Sequence, residues 1–205
     1  MKPSLCLLCN YRVGSTTLTK KLAQEHRLVQ GWELFGDRRG FLPTKENILS
    51  NQKLDHIDEL IRRISLKPTF FKLMGDQIMW DSAIMDRIAE VCEIQYLYRR
   101  NFTAQAYSWT AWLKSPANSH SHHYGETKTY DIEASQEFFD DQTDVLVANY
   151  KFLIDTYKRY PGKIQALEDF PQKRPYNREY NWINKPVLNT PFDTTILDTL
   201  GKDND

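Results

Sequence analysis

Between an apolar run and a helical run, residues 10–17 read Asn10-Tyr11-Arg12-Val13-Gly14-Ser15-Thr16-Thr17, one arginine, one glycine and three consecutive hydroxyls. The N-terminus of a helix leaves its first backbone N–H groups unpaired and carries partial positive charge, so the amides of Gly14, Ser15, Thr16 and Thr17 can wrap a phosphate. Gly14 lets the backbone approach closely, the hydroxyls add donors, and Arg12 adds a fixed positive fork. The competing reading is a plain capped helix with Ser15 as its N-cap. The nucleoside-triphosphate loop Gly-x-x-x-x-Gly-Lys-Ser/Thr cannot be written here, because no lysine precedes the hydroxyl and the segment holds a single glycine. A kinase or ATPase is therefore the lesser expectation.

Three other clusters carry donor atoms. Cys6 and Cys9 have the spacing of a redox pair or half a zinc site, but Leu5 to Cys9 reads as a strand, on which residues three apart point to opposite faces. Buried strand cysteines are the expectation, and three cysteines in 205 residues do not suggest a disulfide framework, in keeping with a reducing compartment. His120, His122 and His123 offer imidazoles to zinc or copper. With no cysteine or regular carboxylate spacing around them they read as part of a solvated lid, and no metal is expected. Tyr107, Trp109, Trp112 and Tyr124 can either pave a sugar or other acceptor site by stacking or fill the core.

These residues need a scaffold, and the apolar spacing supplies one. A first strand ends at Cys9, and Leu18 and Leu22 mark one face of a helix over 18–27. Residues 28–43 are dense in breakers, and a second helix is expected within 45–66, where Ile48, Leu54, Ile57, Leu60, Ile61 and Ile64 recur at three- and four-residue steps. Phe70–Met74 and Ile94–Tyr98 read as strands, Ile84–Val91 and 102 to about 114 as helices, and 115–130 as a mobile polar loop. Ile132, Phe139, Leu146, Leu153 and Tyr160 repeat every seven residues, the stripe of one long helix over 131–160 that packs on a sheet. Ile164–Leu167 is a fourth strand candidate, and the proline-rich residues 171–205 are expected as an extended arm laid over the domain formed by 1–170. The alternation predicts a single α/β domain with a central parallel sheet of about four or five strands flanked by helices.

Composition bounds the ligand. With 27 basic and 27 acidic side chains the chain has no net charge, which argues against a nucleic-acid partner held by phosphate neutralisation. Any anion must be caught locally, and residues 1–40, with 7 basic side chains against 3 acidic, hold the turn at 10–17. The acidic counterweight is 131–160, with 3 against 7. No run approaches the roughly 20 apolar residues of a membrane span, and the apolar run near the N-terminus is too short for a secretory signal. Mature protein in the cytoplasm is the expectation; oligomeric state is not legible.

Arg12-Val13-Gly14-Ser15-Thr16 resembles the 5′-phosphosulfate loop of sulfotransferases, in the Arg-x-Gly-Ser/Thr-Thr form of the bacterial trehalose-sulfotransferase-like and carbohydrate sulfotransferase families. That family's 3′-phosphate site is a strand-end arginine and a serine eight residues on, and Arg100 and Ser108 fit this spacing, a little over two helical turns that return Ser108 to the side of the arginine. The resemblance extends over roughly residues 4–170, with softer echoes at Phe70–Met74 and at Tyr160–Lys163 leading to Glu168-Asp169-Phe170. It departs at the family's late Arg-Lys-Gly element, for which only Lys173-Arg174-Pro175 or Arg178 stand here.

The resemblance implies a P-loop-like sulfotransferase architecture, related to that of P-loop nucleoside kinases, with 3′-phosphoadenosine-5′-phosphosulfate (PAPS) as donor, PAP as product, and in-line transfer of a sulfuryl group to the hydroxyl of a small-molecule or glycan acceptor. Arg12 would neutralise charge on the leaving oxygen, and Glu33, within Gly31-Trp32-Glu33-Leu34-Phe35, would take the acceptor proton. His26 is the rival base, though its place at the end of the first helix suits a C-terminal cap. Two alternatives stand beside this reading: a catalytically silent nucleotide-binding protein of the same fold, and a P-loop-like kinase.

Overall fold

The computed structural model describes residues 3–13, 15–30, 51–79, 81–115, 128–170, 178–189 and 191–202. In chain order the elements are β1 (Ser4–Cys9), α1 (Ser15–His26), β2 (Val29–Gln30), α2 (Asn51–Leu66), β3 (Thr69–Met74), α3 (Ser82–Val91), β4 (Cys92–Tyr98), α4 (Phe102–Lys114), β5 (Lys128–Ile132), α5 (Gln136–Arg159), β6 (Ile164–Ala166), β7 (Arg178–Trp182) and α6 (Thr195–Lys202).

All six residues of β1 are buried. A strand apolar at successive positions must be covered on both faces, which is the situation of an inner strand of a parallel sheet. Accordingly β1 lies between β3 and β4, parallel to both, with Leu8 opposite Leu73 on one side and Tyr96 on the other. β2 adds to β3 and β6 to β4, giving five parallel strands in the order β2-β3-β1-β4-β6. This is the α/β architecture that the alternation of strands and helices predicts, at the upper end of the expected strand number.

Alternate strand residues enter two apolar layers. Leu5, Leu7, Cys9, Phe70, Met74 and Leu97 pack with Leu18, Leu22 and Ala23 of α1. Cys6, Leu8, Phe71, Leu73, Tyr96 and Tyr98 face the other layer, closed by α2, α3, α4 and α5 through residues such as Ile61, Ile88, Trp109 and Leu146. Cys6 and Cys9 thus lie on opposite faces, and they and Cys92 are free and buried.

The long helix is shorter than its stripe. Phe139, Leu146 and Leu153 are buried along α5, but Ile132 belongs to β5, and the helix opens at Gln136, where the Ser135 hydroxyl accepts the Phe138 amide at 3.2 Å. Residues 128–130, expected in a loop, are part of β5, which pairs in parallel with β7 as a separate two-stranded sheet. Of the residues expected as an extended arm, 178–182 form that strand and 195–202 form a helix against β6. Among the described residues no helix is long and apolar enough to cross a membrane.

Candidate functional site

The strand order fixes where a ligand can enter. From β1 the chain moves toward β2 and β3, whereas from β4 it moves the other way, toward β6. Connections leaving two adjacent strands in opposite directions open a crevice at the carboxyl ends of those strands. The segments at that crevice are Asn10–Val13, after β1, and Arg99–Asn101, after β4.

The turn after β1 is held from several sides. Asn10, 1% exposed, donates through Nδ2 to the Leu146 carbonyl of α5 at 2.8 Å, while its Oδ1 accepts the Tyr11 amide at 2.8 Å. Arg12 has φ 56°, the left-handed region that side chains other than glycine avoid. Such a conformation persists only where its surroundings over-determine it. Gln105 of α4 donates to the Tyr11 carbonyl at 2.6 Å, Arg99 donates from Nη1 to the Arg12 carbonyl at 3.4 Å, and Val13 is fully buried. The Arg12 guanidinium donates from Nε to the Ser108 hydroxyl at 3.1 Å. The chain then enters α1, whose first residue, Ser15, is 7% exposed.

A carboxylate stands at the next strand. Asp76 follows β3, beside β1, and its Oδ2 accepts the Tyr11 hydroxyl at 2.6 Å while its amide donates to Asn149 Oδ1 of α5 at 2.7 Å. The Tyr11 ring stacks on Trp109 at 4.1 Å and 10°, and Trp109 on Trp112 at 5.2 Å and 15°. The stack belongs to the core on which the turn packs, and two arginines, a helix N-terminus and a carboxylate are the parts that can neutralise an anionic group and accept a proton.

Of the residues singled out in the sequence, Arg12, Val13, Ser15 and Ser108 meet at this edge. Thr16 and Thr17 lie in the first turn of α1. Gly14, Glu33, His120, His122, His123, Tyr124, Lys173 and Arg174 lie outside the described residues. Arg100 is directed elsewhere: it contacts Asp169 at 2.6 Å and Asp198 of α6 at 2.9 Å, its amide donates to Glu168 at 3.1 Å, and its carbonyl accepts Thr194 Oγ1 at 2.8 Å. The guanidinium in turn holds the Asp169 carboxyl below its ordinary value. Ser108 therefore meets Arg12, and the neighbouring Arg99 is the β4 arginine that reaches the β1 turn. The available signal for Arg99 was its place beside Arg100 just past a strand. For Asp76 it was a polar residue just past a strand beside the first one. Tyr107 is tied to the C-terminal segment through a 2.7 Å hydrogen bond to the Pro186 carbonyl. Among the described residues no group of three or more histidine, cysteine or acidic side chains is set to hold a metal ion.

No family model matches the sequence. No curated protein matches it either. Solved structures do resemble it, at low identity. A gluconokinase from Sinorhizobium meliloti 1021 aligns with TM-score 0.37 and 8% identity over 98% of this chain and 88% of its own. A shikimate kinase from Acinetobacter baumannii, solved with shikimate, gives 0.46 and 11% over 85% and 86%. The YorR protein of Bacillus subtilis, in complex with phosphorylated GDP, gives 0.42 and 11% over 82% and 88%. None of these three is a sulfotransferase, and no sequence match supports that family. This corrects the family expected from the sequence, and with it PAPS as donor and sulfuryl transfer as reaction. Arg100 and Ser108, eight residues apart, go to different partners, the one to carboxylates and the other to Arg12.

Proposed function

We propose that this chain binds the phosphates of a nucleoside triphosphate at the β1–α1 turn and transfers a phosphoryl group to the hydroxyl of a small acceptor. The observation that carries the reading is the convergence of Arg12 and Arg99 at the topological switch point, beside the N-terminus of α1, with Arg99 contacting the Arg12 carbonyl at 3.4 Å. In this mechanism the amides of the first turn of α1 and the two guanidinium groups bind the terminal phosphates and take up charge on the leaving bridging oxygen. The acceptor oxygen forms its bond to phosphorus as the bond to that oxygen breaks, and the acceptor proton passes to Asp76, which Tyr11 ties to the turn.

The test is transfer of label from γ-labelled ATP, with magnesium supplied, to a pool of sugars and other small alcohols, followed by mass spectrometry of products. Asp76→Asn is expected to lower transfer by about 100-fold with ATP binding retained, the size of a lost general base. Absence of labelled product with ATP bound supports the second reading, nucleotide binding without transfer. One observation favours that reading: the residue before Ser15 is Gly14, where the triphosphate loop has lysine.

A further inference from the structure

We propose that the buried pair Gln105 and Tyr150 is the positioning device of this anion site, fixing the β1 turn against the end of β4 so that Arg12 and Arg99 meet the same phosphate. The proposal rests on the nucleotide reading above. Both residues are 0% exposed, and every polar atom they bring is used across elements. Gln105 Nε2 donates to the Tyr11 carbonyl at 2.6 Å, and Gln105 Oε1 accepts the Tyr150 hydroxyl at 2.6 Å. The same hydroxyl accepts the Arg99 amide at 3.1 Å. One unbroken path of three hydrogen bonds therefore runs from the backbone beside Arg12 to the backbone of Arg99.

The hydroxyl must donate and accept at once, which only the neutral phenol does, and burial pushes the Tyr150 group up, away from ionisation. Its ring is fixed by stacking on Phe192 at 5.2 Å and 7° and by contact with Phe102. A buried polar pair adds little net stability over apolar groups of the same shape, so its distinctive contribution is geometric. The geometry in question is a left-handed Arg12, which relaxes toward ordinary backbone conformations once the Tyr11 carbonyl is released.

The experiment measures ATP affinity by titration calorimetry, well below the unfolding temperature, for the full chain and for Gln105→Leu, Tyr150→Phe, the double variant and Tyr157→Phe. Tyr157 is the control, a buried tyrosine on the same helix whose hydroxyl donates to the Leu200 carbonyl at 2.7 Å, away from the turn. Each relay variant is expected to weaken ATP binding by about tenfold, as loss of one buried hydrogen bond does. The double variant is expected to be no weaker than Gln105→Leu alone, because both break one path, and Tyr157→Phe to bind as wild type. Wild-type affinity in Tyr150→Phe, or equal losses in Tyr150→Phe and Tyr157→Phe, overturns the proposal while leaving the nucleotide reading intact. Failure of the wild-type chain to bind ATP overturns both. Tyr150→Phe removes a single oxygen, so it decides the matter even if Gln105→Leu does not fold.

Discussion

Replacing Arg12 by glycine and, separately, by alanine separates backbone strain from side-chain contact at the centre of the site. At φ 56° every residue with a Cβ is strained, by roughly 1–2 kcal/mol relative to the right-handed region. Alanine keeps that strain and loses the 3.1 Å bond from Arg12 Nε to Ser108, a partly buried interaction worth about 1 kcal/mol. Glycine loses the same bond but relieves the strain, offset in part by about 0.4–1 kcal/mol of added unfolded-state freedom. The two variants share the lost contact, so their difference isolates the backbone: Arg12→Gly is expected to be more stable than Arg12→Ala by about 0.5–1 kcal/mol, or ~2–4 °C per kcal/mol in Tm for a chain of this size. Urea unfolding followed by tryptophan fluorescence measures it. In an ordinary helical or extended position the order is the reverse, so an alanine variant as stable as the glycine variant, or more so, refutes the left-handed assignment and the argument that neighbours over-determine this turn.

Other consequences follow from the same contacts. Arg100 holds the Asp169 carboxyl below its ordinary value, so its contribution is present above the unfolded value of about 4 and is lost as pH falls toward the lowered native one. Both side chains are over a third exposed, which limits the contribution to less than about 1 kcal/mol, and Arg100→Met is expected to flatten the acid limb of a stability–pH curve by that amount. A Cβ on Gly75 meets Asn149 Oδ1 at 2.6 Å and Phe152 at 3.0 Å, so Gly75→Ala is expected to destabilise by about 1–3 kcal/mol in urea unfolding and to weaken the bond that places Asp76. Burial pushes the Cys92 thiol up to about 12 and raises that of Cys6, so at about pH 8 a thiol reagent is expected to label the native chain far more slowly than the unfolded one.

The sheet was legible because inner parallel strands leave a plain trace: Ser4–Cys9 and Thr69–Met74 are buried at every position, and Ile94–Tyr98 is the apolar stretch of a third such strand. Heptad spacing found the body of α5 but not its start, because Ile132 continues the stripe from a strand, where a buried isoleucine fits equally well. Arg12 and Ser108, singled out in the sequence, do meet, while Arg100, grouped with them there, turns to Asp169 and Asp198, and Arg99 reaches the β1 turn. Position in the chain could not choose between adjacent arginines, since both lie just past the end of β4 and their partners, the Arg12 carbonyl for one and Asp169 and Asp198 for the other, are distant in the chain. Asp76, Gln105 and Tyr150 went unread for a related reason. Their partners lie 65, 94 and 45 residues away in the chain, beyond the reach of any local pattern.

The central claim, that Arg12 and Arg99 together make the phosphate site, is tested most directly by calorimetric titration of ATP and of adenosine into the wild-type chain and into Arg99→Ala. The account predicts that ATP binds, that adenosine binds far more weakly, and that Arg99→Ala reduces ATP affinity by about 10–100-fold, the size of a charge-assisted contact worth ~1.5–3 kcal/mol. Equal affinity for ATP and adenosine, or undiminished ATP binding by Arg99→Ala, would contradict it.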